Sequence, residues 1–138
     1  MNAAIERFVK AIGYPIDEIE RAEGPVSLLV DELTIKVIED RGDLILRFSL
    51  GSIEEVNAAD ILGFAAGRVL KEAAVVAFDP ALGEVFLWQK LAAKSSENAA
   101  VDAFERFMTS CEWWKAAIGA ELSKPKERVA DEFMRIMP

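Results

Sequence analysis

The sequence predicts an α+β protein: an antiparallel twisted sheet of about five strands with flanking helices, in the order α-βββ-α-ββ-α-α. Three observations carry this. Residues 33–37 and 44–50 alternate apolar and polar side chains with the period of a half-buried strand. Two later apolar runs, 74–78 and 84–91, bracket the turn chemistry of Asp79-Pro80-Ala81-Leu82-Gly83. Around these strands lie segments whose apolar residues recur at helical spacing. The chain has 138 residues, of which 52% are hydrophobic, enough for a core without metal or disulfide support. One domain spanning residues 1–138 is expected.

The elements follow in order. Asn2 is placed to cap a first helix, and Ile5, Phe8, Val9 and Ile12 form one apolar face. Gly13 and Pro15 stop it, and residues 15–25 form a connector with room for a helical turn at 16–21. Residues 27–30 are short and apolar. The run Glu39-Asp40-Arg41-Gly42-Asp43 turns the chain between the two alternating strands, so 27–50 reads as a hairpin extended to a three-stranded meander. Ser52 with Glu55, or Asn57 with Asp60, can start the next helix, expected over 58–71. That helix holds Ala58, Ala59, Gly63, Ala65, Ala66 and Gly67. Each interior glycine costs about 1 kcal/mol against alanine, a loss that close approach of another backbone would offset. After the second hairpin, polar residues 92–98 lead into a long helix over 97–120. It carries Val101, Phe104, Met108, Cys111 and Ile118 on one stripe, with Phe107 and Trp114 beside it. A last helix over 124–137 has Pro125 in its first turn.

Composition narrows the chemistry. The chain has no histidine and one cysteine, Cys111. Zinc and soft-metal sites lack their usual ligands, and Ser-His-Asp or Cys-His catalysis is impossible. Cys111 reads as a small buried hydrophobe, and Tyr14 sits in a turn. Asp79 and Glu84 flank a tight turn, while Asp31 with Glu32 and Glu54 with Glu55 are adjacent rather than facing. The run Gly63-Phe64-Ala65-Ala66-Gly67 lacks the GK[ST] ending of a phosphate loop. No catalytic residue, metal or cofactor is expected, and the chain is not expected to be an enzyme. A net charge of −8 disfavours nucleic acid and anionic membranes. No apolar run approaches the roughly 18–20 residues of a membrane span. The charged Met1–Gly13 segment does not look like a signal peptide, so a cytoplasmic location is expected.

The apolar features speak for binding. The runs at 75–78 and 85–88 are apolar on both faces, which calls for cover on both. Phe86 and Trp88 share one face, which reads either as a binding surface or as packing beneath the C-terminal helix. The small-residue helix likewise reads either as tight packing on its own sheet or as a two-fold interface. The neighbouring two-sided strands favour the interface, and isologous dimers are the commonest soluble assembly. Trp113 and Trp114 point about 100° apart, which suits Trp114 to the core and Trp113 to its margin.

The stretch Asn57-Ala58-Ala59-Asp60-Ile61-Leu62-Gly63-Phe64-Ala65-Ala66-Gly67, followed by Ala77-Phe78-Asp79-Pro80-Ala81-Leu82-Gly83-Glu84-Val85-Phe86-Leu87-Trp88-Gln89-Lys90-Leu91, resembles the class I type III secretion chaperones, the Tir chaperone family. Phe107 and the late Trp114 resemble that family's third helix, and the likeness extends over residues 2–120. The resemblance implies a homodimer that binds an extended segment near the N-terminus of a secreted effector, keeping it locally unfolded without ATP. It implies a client surface among Ile5, Phe8, Val9, Phe86 and Trp88. It also implies dimer contacts through Ile61, Gly63, Phe64 and Ala65, and through Val75 and Ala77 of the strand that follows. Two other readings stand beside it: a general protein-interaction domain of the same architecture, and a small-ligand binder or enzyme with a pocket under the last helix.

Overall fold

The computed structural model describes residues 3–19, 24–52, 54, 56, 58–68, 73–92 and 94–122. Helix α1 (Ala3–Ala11) is followed by a short 3-10 turn, Ile16–Glu18. The strands β1 (Val26–Val30), β2 (Leu33–Asp40) and β3 (Asp43–Ser52) form the expected meander. Helix α2 (Ala58–Arg68) then crosses to the hairpin β4 (Val75–Asp79) and β5 (Glu84–Leu91), and α3 (Glu97–Leu122) closes the described chain. The predicted Asn2 cap, the last turn at 69–71 and the final helix at 124–137 lie outside the described residues.

All strands are antiparallel in the order β1-β2-β3-β5-β4, so β1 and β4 are the edges. Two-residue turns join β1 to β2 and β2 to β3. In the first, Asp31 and Glu32 both have positive φ, and in the second so do Arg41 and Gly42. That is the geometry whose twist suits a tight hairpin. The Glu39 carboxylate accepts the Gly42 N–H at 2.8 Å and closes the second turn. Between Ser49 and Gly51 the pairing of β3 with β5 slips by one residue, leaving Leu50 as a bulge.

The core occupies one face of the sheet. Leu28, Leu33, Ile35, Val37, Leu44, Leu46, Phe48, Val85, Leu87 and Leu91 point into it and are buried. Helices α1 and α3 cover this face, α1 over β2 and β3 and α3 over β3 and β5. Their own buried residues are Ile5, Phe8 and Val9 from α1, and Phe104, Phe107, Met108, Cys111, Trp114 and Ile118 from α3. Phe8 and Phe104 meet edge to face at 5.7 Å, which fastens the two helices together.

The α1 residues correct one expectation. Ile5, Phe8 and Val9 are 1%, 4% and 0% exposed, so they form part of the core rather than a client surface. An apolar stripe at i, i+3, i+4 on a helix beside a sheet is what core burial requires. The sheet claims it.

Candidate functional site: the outer face of the sheet

Side chains alternate across a strand, so the residues not in the core point to the opposite face. The strand register sets them in rows. Lys36 lies opposite Arg47, Arg47 opposite Trp88, and Trp88 opposite Val75. In the next row, Ser49 lies opposite Phe86 and Phe86 opposite Ala77. Phe86 and Trp88, predicted for the client, therefore share one surface with Val75 and Ala77, predicted for a second copy. They are separated from Ile5, Phe8 and Val9 by the thickness of the sheet. Phe86 and Trp88 are half-buried, and Val75 is 51% exposed.

Arg47 organises the centre of this face. Its guanidinium lies 3.7 Å from the centroid of the Phe86 ring. It also donates to the Glu84 carboxylate at 3.1 Å and pairs with Asp79 at 3.5 Å. These three side chains are mostly shielded from solvent, where charge-assisted contacts are strong. Asp79 and Glu84 flank the β4–β5 turn, and the Asp79 carboxylate also accepts the Ala81 N–H at 3.0 Å. Their role in the structure is to hold Arg47 and shape that turn. The sequence carries no signal for this cluster, because Arg47 comes from a strand 32 and 37 positions away from its partners.

Helix α2 meets α3 through Phe64, whose ring stands edge-on to Trp113 at 5.7 Å and to Trp114 at 6.1 Å. Arg68 lies 3.8 Å over the Trp113 ring. Trp114 is buried and Trp113 lies at the core margin, as predicted. Ile61 is buried too, so within a single chain it serves the core and not a dimer surface. Gly63, Ala66 and Gly67 are exposed, Phe64 and Ala65 half-buried. A Cβ built on Gly63 or Gly67 would meet nothing within 4 Å. Among the described residues the two glycines therefore take no part in tight packing on the chain's own sheet, while Ile61, Phe64 and Ala65 do meet the core.

The pocket expected under the last helix lies outside the described residues, and two cavities are found among those described. One, of about 50 Å³, lies between α1 and the start of α3 and is lined by Arg7, Phe8, Leu44, Leu91 and Ser96 among others. The other, an open apolar notch of about 270 Å³, lies between β3 and the end of α3 beside Phe48, Leu50 and Ile118. Both fall below the roughly 300–1,000 Å³ of ligand pockets, and neither gathers the convergent polar groups such pockets use. Among the described residues no three Asp, Glu or Cys side chains converge on a point that could hold a metal ion. No helix among them is long and apolar enough to cross a membrane.

The backbone superposes on a chain of the HopA1–SchA chaperone–effector complex with a TM-score of 0.61 at 15% identity, covering 79% of this chain and 88% of that one. For the ExsC–ExsE complex the TM-score is 0.61 at 20% identity, over 84% and 96% of the two chains. For the Yersinia pestis type III secretion chaperone SycH in complex with a fragment of YscM2 it is 0.57 at 16% identity, over 81% and 97%. The chain has the fold found in these chaperone complexes. At such identities the likeness is one of fold alone. No family model and no curated protein matches the sequence.

Proposed function

We propose that the protein is a non-enzymatic type III secretion chaperone of the bacterial cytoplasm. It binds the N-terminal region of a secreted effector and keeps that region locally unfolded and competent for secretion. The observation that carries this reading is the pairing of a chaperone-complex fold with a sheet on which the described helices α1 and α3 cover one face. The other face carries Phe86, Trp88 and the exposed Val75, an apolar surface that calls for a protein partner. We assign that surface, with Gly63, Phe64 and Ala65 of α2, to a second copy of the chain. The strand β4 and helix α2 belong to one crossover, and both present small or apolar residues outward. The client then lies elsewhere on the dimer. The charge of −8 keeps such a protein soluble while apolar surface is uncovered.

The test is to co-purify the full chain with its client from the native cytoplasm and map hydrogen exchange along that client. Protection confined to one stretch of some tens of residues, in a segment otherwise lacking tertiary structure, supports the proposal. A client folded throughout, or turnover of a small molecule by the pure protein, overturns it.

A further inference from the structure

We infer that residues 125–137 fold back as a helix antiparallel to α3 and cover, on their own chain, the apolar notch between β3 and the end of α3. This goes beyond the chaperone reading and does not rest on it, since the resemblance extends only over residues 2–120. The notch, of about 270 Å³, has Phe48, Ser49 and Leu50 of β3 on one side and Lys115, Ile118 and Gly119 of α3 on the other. Phe48, Leu50 and Ile118 all belong to the core, so the notch opens onto it.

Gly119 marks the α3 wall of the notch. It lies inside the helix, where glycine costs about 1 kcal/mol against alanine, and a Cβ built on it would meet nothing within 4 Å. With Glu112, Lys115 and Ala116 it forms an exposed stripe at i, i+3, i+4 and i+7. The two small residues at the notch end of that stripe let a second helix come close. Neither Glu112 nor Lys115 enters an ion pair among the described residues.

The chain that follows is fitted to this surface. Helix α3 ends at Leu122, within one turn of Gly119. Pro125 keeps Lys124 out of the α region and clashes with a helix carried through from Glu121. The chain therefore cannot run straight on from α3 and must turn. Beyond the turn Val129, Phe133, Ile136 and Met137 recur at i, i+4, i+7 and i+8, an apolar stripe that needs cover. A two-residue reversal at Ser123-Lys124 suffices to join neighbouring antiparallel helices. It also fixes the register, because both helices rise equally per residue. Val129 then stands level with Ile118, Glu132 with Lys115 and Arg135 with Glu112. Apolar meets apolar, and each charge meets its opposite. The short connection places the segment on its own chain rather than on a second copy.

Hydrogen exchange and cross-linking on the full chain test this. A helix of this length is marginal by itself in water, so protection of the 127–136 amides reports docking. Gly119→Leu fills the notch wall without meeting an internal obstacle, and Phe133→Asp removes the largest apolar anchor of the segment. Each should lower that protection roughly 10- to 100-fold, as for loss of one large buried side chain. The amides of β2 and β3 should keep theirs. A zero-length carbodiimide should join the Lys115 amine to the Glu132 carboxylate, and Glu132→Gln should abolish that product. When unlabelled and 15N-labelled chains are refolded together, the joined peptides should be wholly light or wholly heavy. Unprotected 127–136 amides in the wild type, protection that survives either substitution, or no Lys115–Glu132 product would each overturn the inference. So would mixed-isotope products, which would give the notch to the segment of a second copy.

Discussion

At the scale of single residues, Arg47 has the most consequential surroundings. It carries the only cation close to Asp79 and Glu84 among the described ion pairs, and it caps the Phe86 ring. Arg47→Ala leaves two carboxylates facing each other beside an uncovered ring. The expected loss is about 1–3 kcal/mol of unfolding free energy in a urea titration, from charge-assisted bonds and the cation–π contact together. Arg47→Lys should recover only part of it, because an ammonium cannot stack flat on the ring while bonding both acids. Of the sequence-level residue assignments, those resting on helical spacing hold best: Phe104, Phe107, Met108, Cys111, Trp114 and Ile118 are buried, and of the predicted stripe Val101 alone is only half-buried. Ile5, Phe8, Val9 and Ile61 were assigned to surfaces through resemblance, and there local physics and family pattern pull apart. A helical apolar stripe looks the same whether its cover is a sheet of the same chain or a client.

At the scale of elements, the order of strands and helices is legible because period 2 and period 3.6 alternate cleanly along the chain. Strand β5 spans Glu84–Leu91 as predicted, and the small turn at 16–21 is a 3-10 turn over Ile16–Glu18. The side of β5 that faces the core is not legible. Val85-Phe86-Leu87-Trp88 is apolar at every position, so alternation carries no information there. The pairing register decides it, and the register contains the Leu50 bulge. Helix α2 yields the clearest element-level prediction. Gly63 has open space around it in the single chain, so Gly63→Leu meets no internal obstacle and raises helix propensity by somewhat under 1 kcal/mol. Thermal stability of the monomer should hold or rise. Self-association in sedimentation equilibrium should weaken, and by more than for Ala99→Leu on the exposed start of α3.

At the scale of the whole molecule, the sheet divides its labour by position. One face is core, and the β4 side and outer face are assigned to a second copy. Sedimentation equilibrium at micromolar concentration should return about twice the 15.2 kDa chain mass. A persistent mass of one chain would remove the assignment of the outer face. The fold was legible in the sequence at this scale, and the resemblance to secretion chaperones agrees with the superpositions. The division of surfaces was not, because it depends on which of two apolar faces the chain's own helices take.

The three tryptophans occupy three different optical environments. Trp114 is sealed in the core, Trp113 lies under the Arg68 guanidinium, and Trp88 is half-open on the outer face. The native protein therefore carries a spectroscopic label on each part of its surface logic. Diluting the protein through its association range should red-shift only the Trp88 share of the emission as that indole regains water. Trp88→Phe should abolish the shift and leave the blue component of Trp114 in place. Emission from Trp113 should change only when α2 leaves α3. Ordinary steady-state fluorescence, with no added dye, thus separates loss of the partner copy from loss of the fold.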